Sequence, residues 1–152
     1  MSIDTDSKTP SLDNLCAQTE QFFHLHWNHQ ELGTPPFWSE TYVFEGGNLP
    51  NHNRQGVYAF VDDQTVTYIG VGASTGRGKS AGHGLGKRFQ SYSRVVDGRH
   101  TAMEPRLVSA GSIITLGFDN ETAYLAASLE IYLISRLDTE HNTNRPGRLI
   151  AD

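Results

Sequence analysis

Two tyrosines occupy neighbouring β-rich runs, Tyr58 in Gly56-Val57-Tyr58-Ala59-Phe60-Val61 and Tyr68 in Thr65-Val66-Thr67-Tyr68-Ile69-Gly70-Val71. Asp62, Asp63 and Gln64 separate the runs, so a hairpin is predicted. With a three-residue turn Val61 opposes Thr65 and Tyr58 opposes Tyr68, placing two phenols side by side on one face. A two-residue turn would send them to opposite faces. Such phenols offer hydrogen bonds and, with an ordinary pKa of about 10, weak base catalysis. The plain alternative is a stacked pair that covers the core. Arg88 and Tyr92 are four residues apart on a helix predicted over 85–95 and so share its face. Glu130 interrupts the stripe Ala123, Ala126, Ile134 and Leu137 of a helix predicted over 121–138. A carboxylate on an apolar face is costly unless it is paired, hydrogen-bonded or metal-bound. A partly exposed Glu130 paired with Arg136 or another cation would meet the same requirement.

The elements that must position these residues follow from the pattern. Residues 1–10 are polar and acidic and read as a disordered terminus. Leu12, Leu15, Phe22, Phe23, Leu25 and Trp27 recur at helical intervals from Ser11 to about Gln30, with Ser11 or Asp13 as a cap. Gly33, Pro35, Pro36 and Pro50 then break regularity around a short strand at Thr41–Phe44, so 11–55 reads as an accessory arm. A third strand is predicted over 111–118, with Asp119 or Asn120 capping the last helix. Strand, strand, helix, strand, helix is the order of an α+β fold. Its sheet is a small three-stranded one (56–62, 65–71, 111–118), mixed or antiparallel, flanked by helices 85–95 and 121–138.

At 152 residues, 37% apolar and 19% charged, the chain fits one globular domain and is too unbiased for a disordered or fibrous protein. The stretch Ala123–Leu137 is broken by Ser128, Glu130, Ser135 and Arg136, and the first residues lack a basic start followed by an apolar run. Neither a membrane span nor a signal peptide is expected. Cys16 is the single cysteine, which excludes an internal disulfide and points to a reducing cytoplasm. The net charge of -5 conceals a split. Residues 77–106 hold seven basic side chains against Asp97 and Glu104, a surplus of five, leaving the remainder at -10. Such a segment suits local phosphate contacts, or a solvated face.

Gly56-Val57-Tyr58, Tyr68-Ile69-Gly70, Arg88 with Tyr92, Leu129-Glu130 before Leu133-Ile134, and Asn142 follow one another in an order that resembles the GIY-YIG nuclease superfamily. The similarity spans about residues 56–142, and Gly86–Tyr92 is similar to the matching helix of the nuclease domain in the excinuclease C subunit. The resemblance implies a nuclease domain over 56–152 and a divalent-metal-dependent endonuclease acting on nucleic acid, with DNA favoured. Glu130 would hold Mg²⁺ or Mn²⁺. Tyr58 would assist deprotonation of the attacking water, Tyr68 would position water or phosphate, and Arg88 would sit on the scissile phosphate. Tyr92 takes a position where relatives carry His or Tyr. Asn142 would orient the phosphate or brace the site, a role its spacing suits better than that of Asn144. Arg77, Lys79, Lys87 and Arg94 would contact the nucleic-acid backbone. The loop between Gly70 and Arg88 is longer and richer in glycine than in compact relatives. The chain runs ten residues past Asn142, so substrate selection is expected from the arm, that loop or a homodimer.

Three rivals remain. Ala73–Ser80 satisfies a relaxed phosphate-loop pattern, and Ile113–Asp119 mimics a strand ending in a metal-binding aspartate, as in nucleotide hydrolases. Such a loop should open directly into a helix of a parallel sheet, whereas Gly82, Gly84 and Gly86 interrupt the next turn. His24, His26 and His29 flank Trp27 and invite a zinc site, although His24 lies off the face shared by the other two. Finally, the same fold could serve as a catalytically silent nucleic-acid-binding module.

Overall fold

A computed structural model describes residues 8–43, 48–73 and 84–142, with the backbone alone at residues 99 and 100. The hairpin consists of β1 (Gln55–Asp62) and β2 (Thr65–Gly72), and its turn is shorter than the spacing suggested. Asp62 pairs with Thr65, leaving a two-residue loop whose first member, Asp63, has φ 56°. Aspartate tolerates that left-handed conformation because its short side chain can bond locally. A β-bulge follows, with Val61 facing Val66 and Phe60 facing Tyr68, so Thr67 is the extra residue. The pairing expected from a three-residue turn is therefore corrected: Tyr58 opposes Gly70, and Tyr68 opposes Phe60. The extra residue compensates for the shorter turn. Tyr58 and Tyr68 still share a face, their ring centres 6.1 Å apart.

The fold is α+β. On the other side of β1 lies β5 (Ser112–Phe118), so the sheet order is β2-β1-β5 and every pairing is antiparallel. Alternation splits the side chains between two cores. Val57, Ala59, Ile69, Leu116 and Phe118 face α1 (Leu12–His26) and α5 (Leu125–Arg136). Tyr58, Phe60 and Ile113 face α3 (Gly84–Gln90) and α4 (Pro105–Ala110), with Tyr68 and Tyr92 packed at the rim.

Several elements differ from expectation for local reasons. Helix α1 starts as expected at Ser11, whose Oγ accepts from the Asn14 amide at 3.1 Å, but it ends at His26. The short α2 (His29–Leu32) follows. At 41–44 there is an isolated bridge from Tyr42 to Ile113, and Phe44 lies outside the described residues. The helix predicted over 85–95 stops at Gln90. Ser93–Val96 forms β3, paired with β4 (Arg99–Ala102) through Asp97-Gly98, both at positive φ. That dipeptide between β-branched runs is a strong hairpin signal. Glu104 caps α4, Pro105 opens it, and Gly111 closes it at φ 89°. Helix α5 begins only at Leu125, preceded by Tyr124 rather than by a capping Asp119 or Asn120 side chain. No described helix is long and apolar enough to cross a membrane.

Helix α1 is part of the main core. Its start is tied to the hairpin turn, where the Leu12 amide donates to Gln64 O at 2.9 Å. Phe22 and Phe23 are 3% and 2% exposed, so these aromatic side chains pack inward and are covered within the chain. Phe22→Ala should therefore cost about 3–5 kcal/mol, a core-sized loss. Urea unfolding checks it, and a change below about 1 kcal/mol would show α1 to be detachable.

Candidate active site

The site is built where α3 crosses the end of β2. A Cβ on Gly72 would lie 2.7 Å from Gly84 O, and one on Gly84 would collide with Gly72, so both backbones need glycine to approach. The Leu85 amide donates to Arg54 O and the Gly86 amide to His52 O, which fixes the helix start. Arg88 and Lys87 are then exposed on α3. Tyr92 lies beyond the helix, in the turn where its amide donates to Phe89 O at 2.9 Å, so it does not share a helical face with Arg88 as expected. The turn nevertheless carries the Tyr92 hydroxyl to 2.7 Å from the Tyr58 hydroxyl. A further glycine makes this possible. The Tyr58 ring lies across Gly70, and any side chain there would collide with it.

The electrostatics follow from burial. Tyr58 is 3% exposed, and desolvation pushes its phenol far above the ordinary value, the hydrogen bond with Tyr92 adding to the rise while the Arg88 charge opposes it. Desolvation and the neighbouring Tyr92 also raise Tyr68, a net rise that Arg106, its guanidinium carbon 4.4 Å from the ring centre, reduces without cancelling. Glu130 is half-buried and raised by desolvation, then lowered by the Arg88 charge and by the Val71 amide that donates to it. Arg88 thus acts on both the Tyr58 phenol and the Glu130 carboxylate. Arg136, expected as a partner of Glu130, instead lies over the Tyr132 ring at 3.6 Å.

Asn142 has a structural task at the free edge of β2. Its side chain accepts from Ile69 N and donates to Ile69 O, both at 2.9 Å, and the His141 amide donates to Thr67 O. An unpaired strand edge is thereby satisfied. Asn142 braces the strand beside Tyr68, with its amide committed to the backbone.

The structure brings together Tyr58, Tyr68, Tyr92, Arg88 and Glu130, and leaves Arg94 exposed on β3 rather than on a helix. Arg77, Lys79 and Asn144 lie outside the described residues. So does most of Ala73–Ser80. The strand before that segment belongs to an antiparallel sheet, and Asp119 is ion-paired with Arg54, neither of which suits a phosphate loop. His26 packs against Phe22 and Tyr132, while His24 and His29 line a cavity of about 490 Å³ with Trp38 and Pro36. Sequence reasoning missed Arg106 as a site residue, although Glu104-Pro105 before Gly111 marks the short helix that holds it. Among the described residues there is no cluster of three metal-ligating side chains. A lone desolvated carboxylate still fits Mg²⁺, which keeps several waters and takes its other ligands from substrate phosphates. No family model, curated protein or solved structure matches the chain.

Two titrations test this electrostatic picture. Unfolded Glu130 releases its proton near the ordinary 4.5, whereas the folded group holds it to higher pH. The native state then binds more protons across that window, and this group's contribution to stability falls as pH rises through it. In metal-free buffer Glu130→Gln should flatten that fall and be no less stable than wild type at neutral pH; clear destabilisation in urea melts would contradict the assignment. In an ultraviolet titration Tyr58 should keep its proton past the ordinary 10.0, so Tyr58→Phe should leave the early phenolate signal intact. Loss of an early-ionising phenol in that variant would overturn the burial argument.

Proposed function

We propose that this chain is a divalent-metal-dependent endonuclease of the GIY-YIG type, hydrolysing phosphodiester bonds in DNA. The observation that carries the reading is the convergence of a tyrosine cluster and a half-buried carboxylate on one arginine. Phosphodiester hydrolysis needs neutralisation of phosphoryl charge, an oriented water and proton control, and these groups supply all three.

Arg88 places a planar guanidinium on a phosphoryl oxygen and holds the negative charge that develops there. Tyr58 with its proton in place is a donor, able to orient the attacking water or a phosphate oxygen. To accept a proton from that water it needs added positive charge nearby, since burial holds the phenol in its neutral form. Glu130 would hold Mg²⁺ or Mn²⁺, which when bound supplies Lewis acidity and lowers the proton affinity of water. Tyr68 positions the substrate from the same face, and Tyr92 fixes the Tyr58 hydroxyl. Asn142 keeps β2, and hence Tyr68, in place.

A binding-only module is the second reading, favoured by the commitment of the Asn142 amide to the β2 backbone, a structural task rather than a catalytic one. Cleavage assays separate the two. Supercoiled plasmid, linear duplex and branched DNA incubated with Mg²⁺ or Mn²⁺ should be cut by wild type and spared in EDTA. Glu130→Gln and Arg88→Ala should each lose at least about 100-fold in rate. Equal cleavage by Glu130→Gln would remove the mechanism, and binding without cleavage in wild type would leave the silent module.

A further inference from the structure

We propose that Arg106 forms a second phosphate subsite beside the Arg88 centre, taking an internucleotide phosphate next to the scissile one; this inference rests on the nuclease reading above. The Arg106 guanidinium rests on the Tyr68 ring at 4.4 Å, and its Nε donates to Glu104 Oε1 at 2.8 Å. Glu104 is itself anchored, accepting from the Arg106 and Leu107 amides at the start of α4. The planar cation is therefore held in one orientation before any ligand arrives, which reduces the ordering that phosphate binding requires.

Its position gives the site a second pole. Arg88 acts on Tyr58 and Glu130, whereas Arg106 acts on Tyr68 and Tyr92. The three rings between them are spaced by 6.1 Å from Tyr58 to Tyr68 and 5.9 Å from Tyr58 to Tyr92. A strand lying over the partly exposed Tyr68 and Tyr92, with Tyr58 buried beneath, meets the two guanidinium groups. Arg106 is still 34% exposed at its side chain, and only Nε of its five donors is committed to Glu104, so phosphate oxygens can reach it. A short-range ion pair with Glu104 gains little by itself and gives no reason for the guanidinium to lie over Tyr68.

The experiment measures binding of a labelled duplex DNA by full-length Glu130→Gln as a function of salt, in that protein alone and with Arg106→Met or Arg106→Lys added. Methionine still covers Tyr68 but removes the charge, while lysine keeps the charge. Arg106→Met should weaken binding roughly five- to tenfold near 0.1 M salt and reduce the salt slope by about 0.9, the value for one lost phosphate contact. Arg106→Lys should keep the parent slope. An unchanged slope in Arg106→Met overturns the subsite while leaving the nuclease reading intact. No binding by Glu130→Gln itself would remove nucleic acid as the ligand, and the subsite with it. If Arg106→Met fails to fold, Arg106→Gln carries the same comparison.

Discussion

The Tyr58 ring lies across Gly70, and this contact sets the geometry on which the candidate site depends. It requires a glycine opposite the tyrosine, which the register of β1 and β2 supplies. It also requires Tyr68 on the same face, which the extra residue at Thr67 restores after a turn one residue shorter than the sequence suggests. With the ring fixed there, its hydroxyl meets Tyr92 from the turn after α3, and α3 is itself fixed by the close approach of Gly72 and Gly84. A side chain at Gly70 would displace the Tyr58 ring, and one at Gly72 or Gly84 would displace the helix that leads to Tyr92.

Burial then gives the cluster its chemistry. Burial holds the protons of Tyr58 and Tyr68 to higher pH, so two hydrogen-bond donors stand near a cation and a partly desolvated carboxylate. Asn142 is structural as well, because its side-chain amide satisfies the free edge of β2. Fold and site are therefore coupled through one strand, whose edge Asn142 protects and whose Tyr68 belongs to the tyrosine cluster.

Much of this was legible in the sequence, and what was missed has physical causes. Alternation in β1, β2 and β5 and the stripe of α5 follow directly from the core they bury, so strands and helix were predicted within a few residues. The hairpin turn was misjudged because a bulge and a short loop compensate for each other and leave the face pattern unchanged. The helix expected over 85–95 ends at Gln90 because Asp97-Gly98 turns the next residues into a hairpin, which also removes the helical face that Arg88 and Tyr92 would have shared. Arg106 escaped notice for a different reason. Its place over Tyr68 arises from tertiary packing of α4, and no spacing in the sequence brings residues 68 and 106 together.

We propose that Glu130, beside Arg88, holds a divalent cation. The most direct test is NMR of the labelled protein with trace Mn²⁺, whose unpaired electrons broaden only nearby signals. Selective broadening around Glu130, Val71 and Arg88 that disappears in Glu130→Gln is the result expected. Broadening centred elsewhere, or equal in both proteins, would contradict the account.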